Sequence, residues 1–300
     1  MEWLASPEAA AAMDLDPYWP KWTSPWWRMT TLWELGLASL IPEAAARKLA
    51  DAINRHYLHR FPIPPETLPD GCDPYRNVMC HCALGTAFQV LSACGIDPDI
   101  NLPWAREWFL KYQLGDGGLN CDERAYAKVP GKSSVVSTLP PLEAVLRCTN
   151  RAFTPEEERF LDGGARYLID HRLYRSIRTG GVIHEDWLEL CFPRFYHYDL
   201  LRGLSFLAEW SARRGKPIPR RVIEEPLGLL RAKMKEWKLS TERVACAGGT
   251  TLQQGGDGRW VGGVEADTFE LLDRVSAPGA PNLQLTGEWK RVREHLGRGW

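Results

Sequence analysis

The sequence predicts an all-helical fold, a barrel of helical hairpins. Three observations predict it. Apolar residues recur at helical spacing over long stretches, and alternating apolar–polar runs are scarce. Pairs of expected helices, separated by Pro- and Gly-rich connections, repeat roughly every 50 to 65 residues, the spacing of stacked helix pairs rather than of a simple bundle. A chain of 300 residues can bury a large core, and we read it as a single domain over 1–300.

Each element follows from local signals. Thr23 or Ser24 with Pro25 caps a first helix that runs to Leu40. Pro42 starts a second, to His59. Tyr75 to Ala93 is a third, closed by Cys94-Gly95. Pro103 to Tyr112 is a fourth. Lys132-Ser133-Ser134 caps a fifth that ends near Arg147, where Pro140-Pro141 should kink it or delay its start. Thr154-Pro155-Glu156-Glu157 opens a sixth, to His171. Phe195 to Trp210 and Pro219 to Lys235 are the seventh and eighth, and Thr268–Arg274 and Glu288–Leu296 two more. Little or no sheet is expected. The long connections over 60–75, 113–132, 172–194 and 236–265 each follow an even-numbered helix, so alternating hairpins would gather them at one end. Function often sits in such loops.

Composition narrows the function. The formal net charge of -1 lacks the basic excess of nucleic-acid binders and of electrostatic membrane anchors. No run approaches the roughly 20 apolar residues of a membrane span. The acidic N-terminus does not read as a signal peptide. A cytoplasmic protein with its eight Cys reduced is therefore expected. Fourteen Trp call for a wide core or an aromatic-lined cavity.

Trp108 to Tyr126 reads WFLKYQLGDGGLNCDERAY, an aromatic-Leu pair, a Gln and then Asp-Gly-Gly. This resembles the repeat of the terpenoid cyclase and protein prenyltransferase superfamily, in which a Gln and a Gly-rich turn join an outer helix to the next inner one. Gln253 to Trp260, QQGGDGRW, is similar to a degenerate copy. Lys132 to Arg147 resembles the inner helix after such a turn, and Phe192 to Trp210 a prenyltransferase helix with a Tyr-His pair and a later Gly-Leu. The resemblance covers most of the chain as architecture and some 60 residues as motif. It implies an α/α toroid, here of about five to six hairpins. It also implies an enzyme acting on an isoprenoid or other apolar substrate in a central aromatic cavity.

Three segments concentrate titratable or soft side chains near expected inner-helix starts: Cys72 to Cys82, Asp116 to Glu123, and Cys191 to Asp199. Zinc takes four ligands from Cys, His and carboxylate, with an open position in catalytic sites. Cys80, Cys121, Asp122 and His197 have that chemistry. The resemblance implies the same metal, since prenyltransferases hold zinc by an Asp, a Cys and a His, and His197 stands where their His does. Inside a helix, residues two apart point about 200° away from each other, so only one of Cys80 and Cys82 should face a given site unless the helix begins later than Tyr75. Plain core packing of these thiols, a turn role for Asp122 and a core role for His197 are the competing readings.

Acid chemistry is the other route. Asp122, Asp199 and Asp267 are carboxylates that apolar surroundings could turn into proton donors. Asp267 lies in Glu265-Ala266-Asp267-Thr268, the closest string to the D-x-D-D of cyclases, which is itself absent. Trp26, Trp27, Tyr126, Tyr196 and Tyr198 would line the substrate cavity. Arg76 and Arg202 would add charge to it. A non-catalytic toroid serving as a binding or scaffold protein is the alternative. A carbohydrate-active α/α barrel is a third and needs two carboxylates across a cleft.

Overall fold

Proline in the first turn or a capping side chain starts most of the helices. The structure, a computed structural model, describes residues 2–59, 61, 67 and 69–297. Its helices are α1 (Pro7–Leu15), α2 (Pro25–Glu34), α3 (Glu43–His56), α4 (Pro74–Asn77), α5 (His81–Ala93), α6 (Pro98–Asn101), α7 (Ala105–Lys111) and α8 (Val135–Arg147). They continue with α9 (Pro155–Asp170), α10 (Leu200–Arg214), α11 (Arg220–Ala232), α12 (Glu270–Ser276) and α13 (Leu283–Leu296). Ser6 accepts from the Ala9 N–H to cap α1, and Thr154 with Glu157 closes a capping box on α9. Gly215 ends α10 in the left-handed conformation that glycine adopts without penalty.

The chain is mostly helical, but one expectation needs correcting. Thr250–Gln254 (β1) and Trp260–Glu265 (β2) pair as an antiparallel hairpin. The stretch read as a degenerate repeat, Gln253 to Trp260, forms its turn. There the Gly255 N–H donates to the Arg259 carbonyl (2.8 Å), and Gly258 takes a φ of 80°. An Asp-Gly pair between β-branched flanks favours that hairpin. Residues 60, 62–66 and 68 of the expected connection over 60–75 lie outside the described residues, and no described helix is long and apolar enough to cross a membrane.

Burial sorts the helices as their patterns require. Every residue of α5 from His81 to Leu91 is buried, as is nearly all of α8. A helix apolar on all sides belongs in a core. Helices α3, α9 and α11 bury one face and leave a charged one outside. Contacts run α2 to α5, α5 to α8, α8 to α10 and α10 to α13. Gln284 of α13 then donates to the Leu35 carbonyl at the end of α2 (2.7 Å). The pair α5–α8 is the tightest. At Gly85 the backbones approach so closely that a Cβ would lie 2.5 Å from the Pro140 carbonyl carbon. Gln89 donates to the Pro140 carbonyl (3.3 Å), and α8 runs through both prolines.

Candidate metal centre

The Gln-Leu-Gly-Asp-Gly-Gly run folds into a turn that fixes Cys121. Gln113 Nε2 donates to the Gly117 carbonyl (2.7 Å) and to the Phe160 carbonyl of α9 (2.8 Å). Asp116 accepts the N–H of Gly118 (3.2 Å) and of Ser133 (3.0 Å). Gly117 has a φ of 95°, which a side chain would disfavour. Beyond the turn, Thr138 Oγ1 accepts the Leu119 N–H (2.8 Å) and Ser137 Oγ the Cys121 N–H (3.0 Å). The first turn of α8 thus holds the strand of chain that presents Cys121.

The other thiols come from the head of α5. The helix expected over 75–93 is broken, because Leu58 pairs with Val78 and donates its N–H to the Asn77 carbonyl (2.8 Å). Cys80 is therefore the extended N-cap residue (φ −63°, ψ 140°), and α5 begins at His81. The helix begins later than expected, which is the condition under which Cys80 and Cys82 can both face one site. The limit of about 100° per residue applies within a helix, and Cys80 stands outside it. The sulfurs of Cys80, Cys82 and Cys121 lie within 4.8 Å of one another. Cys82 and Cys121 are 3.6 Å apart. Hydrogen bonding with Cys80 and then Cys82 pulls the Cys121 thiol well below its usual range.

His81, between the two thiols, is a brace. The Trp108 indole N–H donates to its Nδ1 (2.9 Å). An indole cannot accept, so Nε2 carries the ring proton and donates to the Tyr126 hydroxyl (3.2 Å). That hydroxyl donates to the Tyr112 carbonyl (3.0 Å) and accepts the Asn120 N–H (3.2 Å). Burial holds the imidazole neutral, with its pKa lowered to about 4. The network ties the start of α5 to the residue before Cys121.

The three thiols open on a cavity of about 600 Å³ walled by Tyr18, Trp19, Tyr57, Phe61, Tyr75 and Tyr196. The Tyr18 hydroxyl donates to that of Tyr196 (3.3 Å), and the Trp27 indole donates to the Tyr18 carbonyl from behind (2.8 Å). Arg76 lines the cavity 3.5 Å from Asp16 and 4.7 Å from the Trp260 ring of the hairpin.

Of the expected ligands, Cys80 and Cys121 come together, joined by Cys82, which sequence reasoning had left out despite its place in Cys-His-Cys. Asp122 borders the cavity but caps the turn at Arg124 and pairs with that guanidinium at 2.8 Å. His197 lies apart, packed on Tyr196 and Trp22. Asp199 is fully buried, caps α10 and pairs with Arg194 at 3.1 Å. Asp267 is exposed beyond β2. Of the expected substrate contacts, Arg76 and Tyr196 line this cavity. Trp26 and Trp27 are 1% and 0% exposed, in the core behind it. Tyr126 braces His81, and the Tyr198 hydroxyl donates to the Leu173 carbonyl (2.8 Å). Arg202 pairs with Glu143 at 2.6 Å, further along α8.

Comparison of the chain with protein-family models, with curated proteins and with solved structures finds no match.

Proposed function

We propose that the chain is a zinc-thiolate enzyme of the prenyltransferase and terpenoid-cyclase kind. It acts on an isoprenoid or other apolar substrate held in the aromatic cavity. The observation that carries this reading is the convergence of Cys80, Cys82 and Cys121 on the wall of that cavity. The donor set fits the metal. Zinc–sulfur bonds of about 2.3 Å in tetrahedral array set sulfurs roughly 3.8 Å apart, and the Cys82–Cys121 separation is 3.6 Å. Three protein donors is the number catalytic zinc sites use, leaving one position for water or substrate. When bound, the ion supplies Lewis-acid activation of that fourth ligand. The surrounding aromatic rings exclude water and offer an apolar substrate a preformed wall. The order of contacts from α2 through α5, α8 and α10 to α13, returning to α2 through Gln284, supports the α/α toroid that this reading implies.

The test is elemental analysis of full-length protein purified under reducing conditions without added metal. About one zinc per chain is expected, falling at least fivefold in Cys82→Ser and Cys121→Ser (roughly 1 kcal/mol or more of lost metal affinity). Wild-type protein that holds no zinc after equilibration with a zinc buffer overturns the proposal. So does zinc retained in both variants.

A further inference from the structure

A second cavity, of about 510 Å³, lies at the far end of the same helices. Ser137 of α8 borders the thiol cavity and Arg147 borders this one. Ten residues of helix, about 15 Å, separate them. The volume falls in the roughly 300–1,000 Å³ range of small-molecule sites. The part of the lining that matters is Trp33, Glu34, Ser205, Gln284, Arg291 and His295.

Ion pairing around this cavity is uneven. Glu143 is matched by Arg202 (2.6 Å), Glu209 by Arg147 (2.8 Å) and Glu288 by Arg194. Glu34 has no cationic side chain in contact among the described residues. Its carboxylate accepts only the backbone N–H groups of Arg194 (2.7 Å) and Phe195. Each oxygen keeps an acceptor position beyond those two bonds. On α13, Arg291 and His295 also lack an ion-pair partner among the described residues. They stand four residues apart, on one helix face at the exposed rim. The cavity thus carries in its wall an acid with no ion-pair contact among the described residues, on which Arg194 and Arg202 act from further off, an indole elsewhere in its lining and, at its mouth, a guanidinium without an ion-pair partner among the described residues.

We infer that this cavity binds a small zwitterion, a free amino acid by class. Its ammonium sits on Glu34 beside Trp33 and its carboxylate on Arg291. An ammonium over an indole and next to a carboxylate is doubly favoured. A guanidinium is the preferred partner for a carboxylate. Burial lifts the Glu34 pKa to about 7 against the pull of Arg194 and Arg202, a perturbation of the kind found at functional sites. The inference does not rest on the metal reading, since none of its residues touches the thiol cavity.

The test is calorimetric titration of the full chain with each standard L-amino acid in turn. Butylammonium and butyrate serve as probes that carry one charge each. At least one amino acid should saturate, and each single-charge probe should bind about tenfold more weakly or worse. Arg291→Ala, at an exposed position, should weaken binding about tenfold with the unliganded melting temperature unchanged, and Glu34→Gln should weaken it likewise. Cys121→Ser should leave binding intact while removing metal, which separates this result from the fate of the zinc proposal. The inference is overturned if no amino acid saturates, if butyrate binds as well as the best amino acid, or if both cavity variants bind like the wild type.

Discussion

His197 is a buried base with nothing to stabilise its charge. Its Nε2 has no hydrogen-bond partner among the described residues, and burial lowers its pKa from 6.5 to about 4, with Arg243, Arg202 and Lys21 adding repulsion. Between these values the unfolded chain binds a proton that the folded chain refuses, so stability is full above pH 6.5 and falls as pH drops toward 4. Urea unfolding of wild type and His197→Phe at pH 7, 5.5 and 4.5 should show the wild type losing up to roughly 3 kcal/mol relative to the variant. Parallel profiles would refute this account. The same residue shows how a motif can mislead. The Tyr-His pair is written in the sequence, but His197 packs on Trp22 where Glu34 of the distant α2 and Arg202 of the following α10 hold the 194–197 backbone.

At the scale of elements, helix α5 and its partner α8 set the geometry of the thiol site, and their contact at Gly85 admits no side chain. Gly85→Ala should cost about 3 kcal/mol or more, because the new methyl meets backbone rather than a movable side chain. Gly228 in α11 faces open space, and Gly228→Ala should stabilise by about 0.5–1 kcal/mol. Thermal unfolding of the two variants checks both. Much of this level was legible in the chain. Thr154 and Glu157 open α9 where the capping box places it, and the amphipathic α3 and α11 follow their apolar periodicity. What stayed hidden has non-local causes. The break at 78–80 has no Gly or Pro to announce it and comes from pairing with Leu58. The head of α10 starts at Leu200 rather than at Phe195, because Asp199 takes the cap. Helix α1, capped by Ser6, gives little signal in the sequence because its alanines carry little amphipathic contrast.

Across the whole molecule, a buried charge network joins elements far apart in sequence. Arg202 binds Glu143 of α8 and donates to the carbonyls of Phe195 (3.0 Å) and His197 (2.8 Å). Arg194 links Asp199 to Glu288 of α13. Removing Arg202 leaves Glu143 with the Arg147 guanidinium alone (3.2 Å) in a poorly solvated interior, and takes the donor from the Phe195 and His197 carbonyls. Arg202→Met should therefore destabilise by roughly 3–5 kcal/mol, and the double change Glu143→Gln with Arg202→Met by clearly less. Denaturant unfolding of the pair measures it, and equal losses in single and double variants would show that the ion pair itself is not the cause. The sequence shows these charges but not their pairing, since Arg202 and Glu143 stand 59 residues apart.

The 3.6 Å approach of Cys82 and Cys121 has a consequence for the chemistry of oxidation. A disulfide needs its sulfurs about 2.05 Å apart, a closure of roughly 1.5 Å that side-chain rotation can supply. A peroxide would convert the two thiols to a disulfide and itself to water, leaving Cys80 as the one donor. Mild peroxide treatment should thus release zinc in step with the loss of two titratable thiols, and dithiothreitol should restore uptake. Metal that stays bound after those thiols are lost would disprove the link. The same three sulfurs proposed to hold the ion would make its retention a reading of the redox state around the protein.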